Sequence, residues 1–210
     1  MTFTVAIDGP AGSGKSSVSK AVAQRLGFGY LDTGAGYRAF TLHAISHPES
    51  SLEQLAATFD YAISLDPVQS WVKLSGQDVT TDIRTQEVAS RVSEYARERA
   101  VRELQHRDSK SRVAECSLPG VVAEGRDLTS VVFTDAEVRI LLTASEEVRL
   151  QRRGAEETES GANLQARDAS DSKVVEFMVP ADGVVLVDTT DLNFDQSVET
   201  VMAEIEKVRA

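Results

Sequence analysis

The run Gly9-Pro10-Ala11-Gly12-Ser13-Gly14-Lys15-Ser16 constrains this chain more than any other segment. It fits G-x-x-x-x-G-K-[ST] at every fixed position, and it lies between a strand-like stretch, Phe3–Asp8, and a helix-like one, Lys15–Leu26. The chemistry explains the spacing. Glycines let backbone N–H groups turn inward around an anion, and the following helix adds the positive end of its dipole. Lys15 is placed to reach the β- and γ-phosphates of a nucleotide, and Ser16 to offer a hydroxyl to Mg²⁺. Gly9 through Ser17 is therefore the candidate nucleoside triphosphate cradle. A dinucleotide turn fits poorly, because Gly9, Gly12 and Gly14 do not space as G-x-G-x-x-G and Lys15 would go unexplained.

Strands and helices alternate from there. Phe28–Leu31 reads as a strand, Asp32–Gly36 as a turn and Tyr37–Ile45 as a helix. Ser51–Thr58 is a short helix. Tyr61–Leu65, Trp71–Ser75 and the stretch around Val79 read as small antiparallel strands, an insertion in an otherwise alternating chain. Thr85–Asp108 predicts one long helix carrying Glu87/Arg91, Glu98/Arg102 and Glu103/Arg107 at i,i+4. Gly120–Ala123, Val138–Thr143 and Gly183–Asp188 are buried-strand candidates. Ser145–Arg153 and Phe194–Val208 are helices, and the Glu-rich 154–166 stretch is expected to be mobile. The alternation predicts an α/β fold of the P-loop NTPase type, a parallel sheet covered by helices on both faces.

Composition narrows the partners. With 22 Lys+Arg against 33 Asp+Glu the formal charge is −11, which argues against nucleic acid and anionic membranes as partners. Yet 16 of the basic residues are Arg and only 6 are Lys, and Arg suits bidentate phosphate binding. Cys116 is the single cysteine, so no internal disulfide forms and a reducing compartment is expected. The start lacks the basic region of a secretory leader, and no apolar run approaches membrane-spanning length. A cytoplasmic monomer is the expectation.

Two further strand ends and one flanking segment carry the remaining chemistry. Asp32-Thr33-Gly34-Ala35-Gly36-Tyr37-Arg38 supplies a small polar turn, an aromatic face and an arginine at the sheet edge where open α/β sheets bind ligands. Glu124-Gly125-Arg126-Asp127 offers opposite charges at another strand end. Arg152, Arg153 and Arg167 flank the Glu-rich stretch, as suits closure over a transferring phosphoryl group. No general base stands near an acceptor hydroxyl. An acceptor that is itself a phosphate needs none, since its second pKa is about 6. A nucleoside monophosphate acceptor fits this inventory. A hydroxyl-directed small-molecule kinase and a nucleotide-dependent switch or assembly ATPase are the competing readings. His43 and His47 lie i,i+4, but a zinc pair lacks further ligands nearby and an ordinary surface pair is expected.

The chain resembles the bacterial cytidylate kinases nearly end to end. The resemblance rests on Ile7–Ser17, Asp32–Arg38, Gly76–Ser93, Gly125–Asp127 with Val131–Phe133, Arg167-Asp168 with Asp171-Ser172, and Asp188–Thr190. The Ile83–Val88 block and the β-rich insert before it set this family apart from adenylate and guanylate kinases. The resemblance implies phosphoryl transfer from ATP, with Mg²⁺, to CMP and dCMP. It implies that Thr33, Tyr37 and Arg38 hold CMP and its phosphate, that Ser93, Arg102 and Asp127 read the cytosine, and that Arg126 helps place the acceptor. Arg167 and Asp171 would contact its phosphate and sugar, and Lys173 stands where the family carries an arginine. The implied organisation is a core of about 1–36, 109–153 and 174–210, a monophosphate-binding insert of about 37–108, and a lid of about 154–173.

Overall fold

The computed structural model describes residues 2–154 and 179–209, with Arg153 and Gly154 as backbone only. The candidate residues Arg167, Asp171 and Lys173 lie outside the described residues. Five strands form a parallel sheet: β1 (Phe3–Asp8), β2 (Gly29–Asp32), β6 (Gly120–Gly125), β7 (Val138–Thr143) and β8 (Val185–Asp188), in the order β2-β6-β1-β7-β8. Side chains alternate across it. Val5, Ile7, Tyr30, Val122, Ile140 and Leu142 pack on one face with Val18 and Val22 of α1 (Lys15–Leu26) and Val198, Val201 and Ile205 of α7 (Phe194–Arg209). Ala6, Leu31, Val121 and Ala123 turn to the other face, against Ala35 and Ala39 of α2 (Thr33–Ser46). Burial on both faces explains why these strands read as unbroken apolar runs.

The insert follows α2. It comprises α3 (Leu52–Thr58), a small antiparallel sheet of β3 (Tyr61–Ile63), β4 (Val72–Leu74) and β5 (Gln77–Asp78), then α4 (Gln86–Ala96) and α5 (Arg99–Glu115). Ser51 caps α3 in a capping box with Gln54. α6 (Glu146–Gly154) follows β7. No helix among the described residues is long and apolar enough to cross a membrane.

Three local expectations give way. Two glycines predict a turn over Asp32–Gly36, yet α2 begins at Thr33, because the Asp32 side chain accepts from the Ala35 amide at 3.0 Å and caps the first turn. Such a cap is worth about 1 kcal/mol and offsets the glycine penalty. The long helix predicted over Thr85–Asp108 is two helices, broken where Glu98 turns extended. Its anticipated ion pairs regroup as Arg91–Glu94 and Arg99–Glu103, while Arg102 leaves Glu98 for a carboxylate 25 residues on. His43 is buried, not at the surface, with Nε2 3.1 Å from Thr58 Oγ1; burial first, then His47, lowers its pKa.

One buried carboxylate ties the site-bearing ends together. Asp8 closes β1, and its Oδ1 accepts from the Leu128 amide at 3.0 Å while Oδ2 accepts from the Thr129 amide and hydroxyl, both at 2.7 Å. Burial raises its pKa against these bonds. Asp8→Ala strands two buried amides and is expected to lower the unfolding free energy by about 3 kcal/mol. Denaturant titration measures this; a loss below about 1 kcal/mol contradicts the clamp.

Candidate active site

The phosphate loop leaves β1 at Gly9. Its backbone runs against β7: a side chain at Gly9 would bring Cβ to 2.1 Å of the Leu142 carbonyl oxygen. At Gly12 a Cβ would sit 2.7 Å from the Arg149 carbonyl oxygen, and φ is +78°. Neither position admits anything but glycine. Three arginines then take alternate carbonyls of the loop. Arg126 donates to Gly9 O, Arg149 to Ala11 O at 3.0 Å, and Arg152 to Ser13 O at 3.3 Å. With the carbonyls of residues 9, 11 and 13 held by cations, backbone amides are left to face an anion. α1 starts at Lys15 with neither a side-chain cap nor an acidic residue in its first turn, so nothing of its own competes for the helix dipole.

Beside the loop, the penultimate residue of β6 is Glu124, which is only 3% exposed. Its Oε1 accepts from Tyr30 Oη at 2.9 Å and Ser16 Oγ at 2.5 Å, and its Oε2 lies 3.7 Å from Lys15 Nζ. Its backbone carbonyl accepts from Thr33 Oγ1 at 2.7 Å. Tyr30 is held far above its ordinary pKa, by burial first and then by Glu124, so it remains a donor. Asp32 is the register partner of Glu124 on β2 and lies 3.7 Å from Arg84; burial, then the Glu124 charge, raises its pKa. Two carboxylates and the Ser16 hydroxyl at adjoining strand ends are the hard oxygen donors that Mg²⁺ takes together with nucleotide phosphates, so the residues fit that ion.

A second cluster gathers behind the residue pair that follows β6. Asp127 is buried, and its Oδ2 accepts from Arg102 at 2.8 Å and from His106 Nε2 at 3.0 Å. Burial works to raise the Asp127 pKa, but the His106 and Arg102 bonds outweigh it and leave the carboxyl below its ordinary value of 3.8. Tyr37, half-buried on α2, shares Arg102; burial, then Asp127, raises its pKa. Arg38 reaches from the same helix to the Ile83 carbonyl at 3.3 Å. Ser93 is half-buried on α4.

The structure thus brings Thr33, Tyr37, Arg102, Arg126 and Asp127 of the sequence-derived set to the ends of β2 and β6, beside Lys15 and Ser16. Arg152, also expected at the phosphoryl group, lies against the loop. Beyond Ser13 it donates to Thr189 Oγ1 at 3.0 Å, to Thr189 O at 2.8 Å and to Leu192 O at 3.2 Å, bracing the loop against the end of β8. Sequence reasoning missed Asp8, Tyr30, Arg84, His106 and Arg149. Asp8 and Tyr30 read as parts of strands, and the only signal for His106 was its place one helical turn after Arg102.

Because folding lowers the Asp127 pKa, the stability this carboxylate brings is complete above pH 3.8 and is lost as pH falls through the lower folded value. Melting temperatures across the acid range are expected to fall more steeply for the native chain than for Asp127→Asn. Parallel acid limbs contradict the assignment.

Comparison with known proteins gives the family and the fold. The cytidylate kinase family profile matches residues 5–207. A cytidylate kinase of Streptomyces avermitilis is 41% identical, covering 98% of this chain and 94% of that protein. One from Rhodococcus jostii is 42% identical over 92% of this chain and 90% of its own. Among solved structures, a sugar kinase from Janibacter sp. HTCC2649 superposes with a TM-score of 0.51 at 16% identity, covering 98% of this chain and 95% of that one, a likeness of fold alone.

Proposed function

The chain belongs to the cytidylate kinase family, and on that premise we propose that it transfers the γ-phosphoryl group of ATP to CMP and dCMP, giving ADP and CDP or dCDP. One observation carries the reading beyond family membership. The phosphate loop and the Asp127 cluster are clamped to each other: Asp8 bonds the two residues after Asp127, and Arg126 bonds the first carbonyl of the loop. This clamp supports the reading, because a donor and an acceptor held at a fixed separation meet the condition for in-line transfer.

In the reaction an oxygen of the acceptor phosphate attacks the γ-phosphorus, the bond to the β,γ-bridging oxygen breaks, and ADP leaves with the electron pair. No base is required, because the acceptor is already dianionic near neutral pH. Loop amides and Lys15 hold the β- and γ-phosphates. Ser16, Glu124 and Asp32 would hold Mg²⁺, which when bound would neutralise the negative charge of the transferring group. Thr33, Tyr37 and Arg38 bind the acceptor and its phosphate, with Arg126 orienting it. Arg102, Ser93 and Asp127 face the base. Arg153, Arg167, Asp171 and Lys173 belong to the closing segment of this reading. Arg152 contributes by holding the loop in shape. The lone thiol, Cys116, suits a reducing cytoplasm.

A coupled ADP-release assay across CMP, dCMP, UMP, AMP, GMP and simple alcohols tests the acceptor, and CMP and dCMP are expected to be preferred. Slow hydrolysis indifferent to every monophosphate, or turnover of an alcohol alone, overturns the reading. Lys15→Ala should abolish transfer while keeping the native circular dichroism spectrum. Arg38→Ala should raise the CMP KM and lower kcat, cutting kcat/KM by about ten- to a hundredfold, as loss of a charge-assisted contact does. Unchanged kinetics would remove Arg38 from the site.

A further inference from the structure

α5 presents two donors to one carboxylate oxygen. Arg102 and His106 are four residues apart, hence on one face of the helix, and both end on Oδ2 of Asp127, at 2.8 and 3.0 Å. Among the described residues the side-chain hydrogen bonds to this carboxylate fall on that oxygen alone. A carboxylate oxygen offers about two lone-pair directions, so Oδ2 is saturated and the acceptor capacity left for a ligand is that of Oδ1. The site is enclosed: side-chain exposure is 11% for Asp127 and 21% for each of its two partners. An ionised carboxylate opposite Nε2 requires the proton to sit on that nitrogen, so His106 donates in its neutral form as well as in its charged one.

We propose that His106 is a specificity-determining positioning residue, which with Arg102 fixes Asp127 as an acceptor-only group and so selects an acceptor base bearing an amino group over one bearing a carbonyl at the same position. The proposal rests on the acceptor reading above. Its chemistry is that of a lone-pair inventory. A free carboxylic acid donates through O–H or accepts through C=O, and so greets either an amine or a carbonyl. A carboxylate anchored twice on one oxygen only accepts; an N–H donor satisfies it, whereas a carbonyl oxygen meets like charge and leaves a buried group unpartnered. Sites of this kind discriminate strongly, because the wrong ligand strands polar groups away from water. Arg102 alone does not suffice for this role, since its guanidinium is shared with the Tyr37 hydroxyl. His106 adds the second anchor that sets the rotation of the carboxylate. The base itself is touched by Asp127; His106 acts through it.

The test uses the full-length protein with His106→Leu and His106→Gln, the second keeping an N–H donor at comparable reach. Steady-state kinetics are measured with CMP and with UMP as acceptors, and separately with ATP varied, after circular dichroism and melting confirm folding. The native enzyme should prefer CMP. In His106→Leu the CMP-to-UMP ratio of kcat/KM should fall about tenfold, as for loss of one hydrogen bond to a charged group, chiefly through the CMP KM and with the ATP KM nearly unmoved. His106→Gln should restore most of the ratio, an outcome that mere packing by the imidazole does not predict. A native preference for CMP that survives His106→Leu overturns the role of His106 and leaves the acceptor assignment standing. Should His106→Leu fail to fold, loss of the preference in a folded His106→Gln also overturns it. A native enzyme that ignores CMP overturns the acceptor reading itself, and a native enzyme that uses UMP equally overturns the amino-group selection.

Discussion

A carboxylate buried near a strand end is costly unless its oxygens are partnered, and Glu124 meets that demand by recruiting two other elements. Tyr30 comes from β2, and Ser16 and Lys15 from the start of α1, while the backbone carbonyl of the same residue takes Thr33 at the start of α2. The sheet order places β6 between β2 and β1, so a residue at the end of β6 is the one that reaches both neighbours. A shift of α1 would break the Ser16 and Lys15 contacts while leaving the charge buried, and a shift of α2 would break the Thr33 bond to the same residue's carbonyl. The distance between the phosphate loop and α2 is set in this way.

Arginine does related work on the other side of the loop. Arg126 follows β6 while Arg149 and Arg152 share α6, yet each donates to a loop carbonyl, at Gly9, Ala11 and Ser13. A loop whose carbonyls are engaged by fixed cations is preorganised for an anion, and the attraction it then offers requires little rearrangement at the moment of reaction. The net charge of −11 therefore describes the protein as a whole, while the excess of Arg over Lys has a local meaning. Lys has no planar fork with which to bridge Ser13, Thr189 and Leu192 as Arg152 does.

Much of this was legible from residue order. Local chemistry is strongest where strand, glycine loop and helix meet, and α1 occupies the Lys15–Leu26 span read from its apolar spacing and its Gly27 stop. Parallel strands buried on both faces announced themselves as short apolar runs. What escaped were contacts between residues far apart in the chain. The sequence around Arg102 offers Glu98 four residues earlier, and nothing local reveals that Asp127 outcompetes it. The helix break at Arg97–Glu98 carries neither proline nor glycine; it becomes intelligible only once α5 is seen delivering Arg102 and His106 to Asp127. Tyr30 resembled core until its hydroxyl was seen to end on a buried charge. Arg152 reaches Thr189 and Leu192, contacts across 37 and 40 residues that no local pattern announces.

The central claim is that a phosphoryl group passes directly from ATP to CMP. Phosphorus-31 NMR of the enzyme with ATP, Mg²⁺ and CMP follows the group itself. The account predicts that ATP and CMP signals decline together as ADP and CDP resonances grow in equal amounts, with inorganic phosphate negligible. Release of inorganic phosphate at a rate independent of CMP, with no CDP resonance, would contradict it.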